Sequence, residues 1–106
     1  MSRIQVHATP HVAELYNKLK SKDYLKKQIQ KAKELMEQDN NIGDYIKKKP
    51  WPDKYVRTHD VSNLYRYPLG SYYRMIYTIR GNPNVKTYQI LGVLTHIEYN
   101  KIFSYN

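Results

Sequence analysis

Between Tyr72 and Arg80 two kinds of residue alternate at strand spacing, and this constrains the fold more than any other stretch. Tyr73, Met75, Tyr77 and Ile79 fall on one side of an extended chain, and Tyr72, Arg74, Ile76 and Thr78 on the other. The first set predicts a face buried under helices. The second carries a cation in mid-strand, where a guanidinium needs a reason. Gly81-Asn82-Pro83-Asn84 is a turn signal, so Val85 to Leu94 returns as a further strand. Leu64 to Leu69 precedes the middle strand across a tight Gly70-Ser71 connection. The three runs predict an antiparallel meander whose second face carries Arg66 and Arg74 in the open.

The first half of the chain supplies what the meander must bury. Arg3 to Ala8 alternate as a first strand, with Ile4, Val6 and Ala8 on one face. Thr9-Pro10 predicts a helix start, a hydroxyl cap followed by a proline whose missing N–H costs nothing there. Val12, Leu15, Tyr16 and Leu19 then form one apolar stripe, and Leu25, Ile29, Ala32, Leu35 and Met36 a second. Two such helices joined near Ser21 to Asp23 make an antiparallel hairpin that needs a sheet to cover. Asp44 to Lys49 is expected to form one helical turn, stopped by Pro50-Trp51-Pro52. Trp51 anchors that connection by packing, with a base-stacking platform as the alternative. Lys54 to Asp60 is expected to be a polar connection. His59 and Asp60, adjacent on an extended chain, point apart and make no catalytic pair.

Thr95-His96-Ile97-Glu98 has the form of a capping box, hydroxyl at the cap and carboxylate three residues later. The helix it opens places Tyr99, Ile102 and Phe103 on one side. His96 sits in its first turn, where an imidazole can serve as a proton acceptor.

Taken together, the expected fold is α+β and a single domain spanning residues 1–106. A 106-residue chain is long enough to build a core without covalent staples. It has no cysteine, which excludes disulfides, cysteine-based zinc sites and thiol catalysis. His7 and His11 lie four apart with no acids beside them, so no metal site is expected, and no cofactor motif is present. The longest apolar run, Ile90 to Leu94, is far short of the roughly 20 residues of a membrane span. No signal peptide is visible at the start, and a soluble cytoplasmic protein is expected.

The formal net charge is +9. Residues 1–53 hold 11 Lys/Arg against 7 Asp/Glu, and residues 54–106 hold 7 against 2. This balance favours anionic partners, nucleic acid foremost. On the helical hairpin, Lys18, Lys20, Lys22, Lys26, Lys27, Lys31 and Lys33 lie opposite the apolar stripes and read as a solvated face, with a phosphate-contacting ridge as the alternative. In the second half few acids balance the arginines.

The element order, with Asn63-Leu64-Tyr65-Arg66-Tyr67-Pro68-Leu69 and Tyr73-Arg74-Met75-Ile76-Tyr77-Thr78-Ile79, resembles the RelE/ParE toxin superfamily of toxin–antitoxin pairs. The end, His96 to Tyr105, looks like the H-x-E-Y-x-x-x-F-x-Y tail of its archaeal-type members. These motifs cover the last two-fifths of the chain. The resemblance implies a RelE-like fold: an N-terminal strand, then an antiparallel helical hairpin on a twisted, mostly antiparallel sheet. A three-stranded meander and a short C-terminal helix complete it.

The resemblance also implies a metal-independent, ribosome-dependent mRNA endoribonuclease, with a cognate antitoxin protein, mRNA and the ribosome as partners. A ParE-like gyrase inhibitor and a non-catalytic nucleic-acid or antitoxin-binding module are the alternatives. Arg74 matches the arginine of the family's Y-R-L-I-Y strand, and Arg66 falls near a basic position on the strand before it. Tyr99 or Tyr105 matches the C-terminal tyrosine. Where many active members have an arginine after the histidine, this chain has Ile97.

The chemistry also stands on the residues themselves. Cleavage of RNA by its own 2′-hydroxyl needs a base, cations for the charged phosphorane and an acid for the leaving oxygen. Arg74 and Arg66 are candidates for charge stabilisation, His96 for base or acid, and Tyr99 or Tyr105 for orientation or proton donation. Glu98 is a rival base, although capping accounts for it. Lys54, Arg57 and Lys101 are candidate RNA-binding residues.

Overall fold

The structure, a computed structural model, describes residues 3–47 and 51–103. Nine elements follow in order: β1 (Arg3–Ala8), α1 (Pro10–Lys18), α2 (Tyr24–Glu37), β2 (Asp44–Tyr45), α3 (Asp53–His59), β3 (Tyr65–Leu69), β4 (Tyr73–Gly81), β5 (Val85–Thr95) and α4 (His96–Ile102). The strands form one mixed sheet in the order β1-β5-β4-β3-β2. The meander β3-β4-β5 is antiparallel, as the alternation predicts. β1 lies parallel to β5, from Arg3 opposite Val85 to Ala8 opposite Ile90. The α+β class therefore stands, with four helices and five strands among the described residues.

One face of the sheet is buried as the sequence requires. Val12 of α1 and Leu25, Ile29, Ala32 and Met36 of α2 pack on Met75, Tyr77, Tyr88 and Ile90. Pro10 takes the first helical position, but Thr9 makes no side-chain cap. Its hydroxyl instead reaches the carbonyl of Leu91 at 3.5 Å, because Thr9 is buried against β5. At the far end of α2 the chain turns on Asp39 in the left-handed region, φ 61°. Asp39 accepts from the Tyr88 hydroxyl at 2.7 Å and pairs with Lys86 at 2.8 Å, fastening the hairpin to β5.

The other face corrects an expectation. It is covered, not open: Ile46, Trp51, Tyr55, Leu64, Ile76, Leu91, Leu94, Tyr99 and Phe103 form a second core. α4 covers part of this face through Tyr99 and Phe103, and two further segments complete the cover. Asp44–Tyr45 is a short strand paired with Arg66 and Tyr65, not a helical turn. The Gly43 amide donates to the Tyr77 hydroxyl at 2.8 Å and holds the chain extended there. Lys48 to Pro50 lie outside the described residues. Where Lys54 to Asp60 is expected to be a polar connection, Asp53–His59 form α3. Its only apolar positions are Tyr55 and Val56, too few to mark a helical period, and Tyr55 is buried against Phe103. Trp51 is buried and donates its indole N–H to the Ile46 carbonyl at 3.0 Å, which is the packing role.

Candidate anion-binding cleft

Arg66 lies on β3 and Arg74 on β4. Arg66 is opposite Ile76 and Pro68 is opposite Arg74, so the two arginines are diagonal neighbours on one face. Such neighbours lie roughly 7–8 Å apart. β2 pairs only with Tyr65 and Arg66, so beyond Arg66 the outer side of β3 is an edge, and Pro68 loses no ladder bond there. The covering layer also stops at this point. Asp44, Arg66, Pro68, Arg74, Tyr99 and Asn100 line a cleft of about 450 Å³.

The two arginines are held differently. Arg66 donates from Nη1 to the Tyr99 hydroxyl at 2.8 Å, and its Cζ lies 5.8 Å from the centre of that ring. Arg74 donates from Nη1 to the carbonyl of Tyr73 at 3.1 Å. Among the described residues, Arg74 has no carboxylate within ion-pair distance. Arg80, six residues along the same strand, shows what a structural arginine looks like here. Its Nε donates to Gln89 at 2.8 Å, and its terminal nitrogens donate to the carbonyls of His59 and Asp60, closing the end of α3. Among the described residues, the N–H groups of Arg74 beyond this one bond have no carboxylate to meet, whereas those of Arg80 are spent on the fold. Among the described residues, Asp44 is the one acid lining the cleft, against two guanidiniums.

α4 supplies the floor. The capping box is formed: Thr95 Oγ1 accepts from the Glu98 amide at 3.1 Å, and Glu98 Oε1 accepts from the Thr95 amide at 2.9 Å. This backbone hydrogen bond holds the Glu98 carboxyl below its ordinary range, with a smaller contribution from the charge of Lys54. Glu98 is thus occupied as a cap. Tyr99 is buried, with its ring stacked on Phe103 at 4.6 Å, so it is core and cleft at once.

His96 is not among the residues that line the cleft. Its ring packs edge-on against Tyr72, centroids 5.2 Å apart, and its amide donates to the Tyr72 carbonyl at 2.7 Å. It lies four residues before Asn100, hence on the same stripe of α4, about 6 Å along the axis. The proposed base and the two arginines are thus on the same side of the sheet, but His96 stands at the cleft's border. Tyr105 lies outside the described residues.

The three candidate RNA-binding residues do not line the cleft. Arg57 sits 3.9 Å from Asp53 on the exposed side of α3. Lys54 stands over the Tyr55 ring at 5.1 Å, and Lys101 is exposed on α4. No group of three or more His, Asp or Glu able to hold a metal occurs among the described residues. No described helix is long and apolar enough to cross a membrane.

Sequence reasoning missed Asp44 and Asn100. Asn100 was within reach, since it follows Tyr99 on a helix whose face toward the sheet was identified. Asp44 was not, because a two-residue strand has no period. Comparison of the chain with known protein families, with curated proteins and with solved structures finds no match.

Proposed function

We propose that this protein is a RelE-like mRNA endoribonuclease that acts on message in the ribosome, with Arg74 and Arg66 gripping the scissile phosphate. The observation that carries this reading is Arg74, a guanidinium near the start of β4 at an open cleft, with no carboxylate partner among the described residues and a second guanidinium diagonal to it. Two planar donors aimed into one hollow suit the oxygens of a phosphodiester.

In the reaction, a base removes the proton of the ribose 2′-hydroxyl and the 2′-oxygen attacks phosphorus. The arginines stabilise the charge that builds on the phosphorane oxygens. The bond to the 5′-oxygen breaks, and an acid protonates that oxygen, leaving a 2′,3′-cyclic phosphate and a 5′-hydroxyl. His96 is the candidate for the proton transfers, from the border of the cleft. Tyr99 holds Arg66 in place. An acidic antitoxin protein is the expected partner, and the +9 charge would speed their encounter.

The test is induced expression in a bacterial host followed by mapping of message 5′ ends. New 5′ ends within translated codons, absent in Arg74→Ala, are the expected result. Intact message with DNA-damage signalling would replace this reading by gyrase inhibition. A second reading, a non-catalytic phosphate-binding module, is favoured by the position of His96 outside the cleft lining and by Ile97. It predicts Arg74-dependent RNA binding with no new 5′ ends.

A further inference from the structure

Asp44 stands on the wall of a cleft that would draw an anion more strongly without it. It lies directly opposite Arg66 across the β2–β3 pair, so the two side chains share a face of the sheet, with Arg74 diagonal to Arg66 on the next strand. Among the described residues, no ion pair joins Asp44 to either guanidinium, and its carboxylate accepts no hydrogen bond. The backbone that carries it is nonetheless fixed. The Gly43 amide donates to the Tyr77 hydroxyl at 2.8 Å on one side, and the Ile46 amide to the Leu64 carbonyl at 2.8 Å on the other. Gly43 passes so near β3 that a Cβ there would stand 2.5 Å from the Arg66 carbonyl oxygen. A carboxylate is thus held on a cationic wall without being consumed by it.

The charge of the best ligand follows from this lining. A phosphodiester inside a strand carries a single negative charge and offers two non-bridging oxygens, one for each planar guanidinium. The phosphate of a strand end, a free nucleotide or inorganic phosphate carries about two charges at neutral pH and presents a third oxygen. The arginines alone would draw the dianion harder. Asp44 takes back part of that advantage, because its repulsion also grows with the charge of the ligand. The cost of stripping water from an ion rises faster still than its charge, and this turns the balance toward the diester. We propose that Asp44 makes the cleft selective for the singly charged phosphodiester within an RNA strand over the doubly charged phosphate of a strand end, a nucleotide or inorganic phosphate. The inference rests on the reading of the cleft as a phosphate site, and it adds the group that keeps small phosphates from occupying the arginines.

The experiment is displacement of a short labelled RNA, protected from cleavage by 2′-O-methyl groups and followed by fluorescence anisotropy at constant ionic strength. Dimethyl phosphate is the singly charged competitor, and inorganic phosphate at about pH 8 the doubly charged one. The parent should release the RNA to dimethyl phosphate at the lower concentration. Asp44→Asn, which keeps the shape and removes the charge, should tighten inorganic phosphate about fivefold more than dimethyl phosphate. Asp44→Glu should keep the parent's order of preference, since the charge remains. Arg74→Ala should weaken both ions and the RNA. Preference of the parent for inorganic phosphate, or an unchanged ratio in Asp44→Asn, overturns the selection by Asp44. The phosphate site stands in that case if Arg74→Ala is still impaired. Weaker binding of both ions by Asp44→Asn would make the residue a support of the cleft and also overturn the selection. Failure of the parent to bind the RNA, or of dimethyl phosphate to displace it, overturns the phosphate site and the selection together.

Discussion

The guanidinium of Arg66 donates to the phenol oxygen of Tyr99 at 2.8 Å, joining β3 to α4 across the floor of the cleft. The two residues are 33 apart in the chain, and one of them belongs to the second core. Removing the acceptor and leaving the ring should therefore separate positioning from packing. Tyr99→Phe is expected to lower stability by about 1–2 kcal/mol, since a hydrogen bond to a charged donor is lost. Tyr99→Ala should lose about 3–5 kcal/mol by opening a core cavity. Urea unfolding of the three proteins checks both figures, and equal losses would mean the hydroxyl contributes nothing.

Arg74 is expected to behave in the opposite way. Arg74→Ala removes no ion pair among the described residues, so its unfolding midpoint should correspond to a change within about 0.5 kcal/mol of the parent. Its growth arrest and RNA binding should disappear. Arg74→Lys should restore only part of either, because a single ammonium cannot make the paired donor contact of a guanidinium. A large loss of stability in Arg74→Ala would make the residue structural instead.

The Asp39–Lys86–Tyr88 cluster sets a pH dependence. Hydrogen bonds from Lys86 and then Tyr88 lower the pKa of Asp39, and the bond to Asp39 raises that of Lys86. A depressed carboxyl contributes stability above its unfolded pKa of ~3.9 and loses it as pH falls through the folded value. A raised ammonium contributes below its unfolded pKa of ~10.4 and loses it as pH rises through the folded value. Asp39→Asn, which also tolerates the left-handed backbone at this position, should thus be less stable than the parent by a constant margin between about pH 5 and pH 10. The margin should shrink on both sides. Urea midpoints across the pH range test this, and an undiminished margin in strong acid would remove the carboxylate from the account.

A buried hydroxyl without a partner gives the fourth expectation. Tyr55 Oη is enclosed and has no hydrogen-bond partner among the described residues, and burial raises its pKa well above the ordinary phenol range. It lies where a Cβ on Gly92 would be 3.1 Å away. Tyr55→Phe is expected to stabilise the protein by about 1 kcal/mol, since the desolvated oxygen is removed without loss of a partner. Gly92→Ala should destabilise the parent by about 1–3 kcal/mol and do less harm in the Tyr55→Phe background. Thermal unfolding of the double-mutant cycle measures the coupling, and strict additivity would place the crowding elsewhere.

The sequence disclosed structure wherever a period ran long enough. Tyr73, Met75, Tyr77 and Ile79 repeat over four strand positions, and the helical stripes over about two turns in α1 and three in α2, so the hairpin face and the meander were legible. So was α4, because its capping box is a local hydrogen-bond pattern that needs no tertiary context. The second face was not. Tyr55 is a lone apolar anchor on a seven-residue helix, and Asp44–Tyr45 becomes a strand only because Tyr65 and Arg66 are there to pair with it. The arginines of the cleft were identified by residue type and face. The diagonal that brings them together depends on register, and the partners that distinguish Arg74 from Arg80 come from distant carbonyls and Gln89. Neither is written in spacing.

The parallel pairing of β1 with β5 bears on how the molecule comes into being. β1 is translated before residues 85–90 and cannot pair with β5 until they have been made. The cleft is subject to the same delay, because Tyr99 and Asn100 come later still. A copy translated only as far as β5 therefore lacks two residues of the cleft's lining.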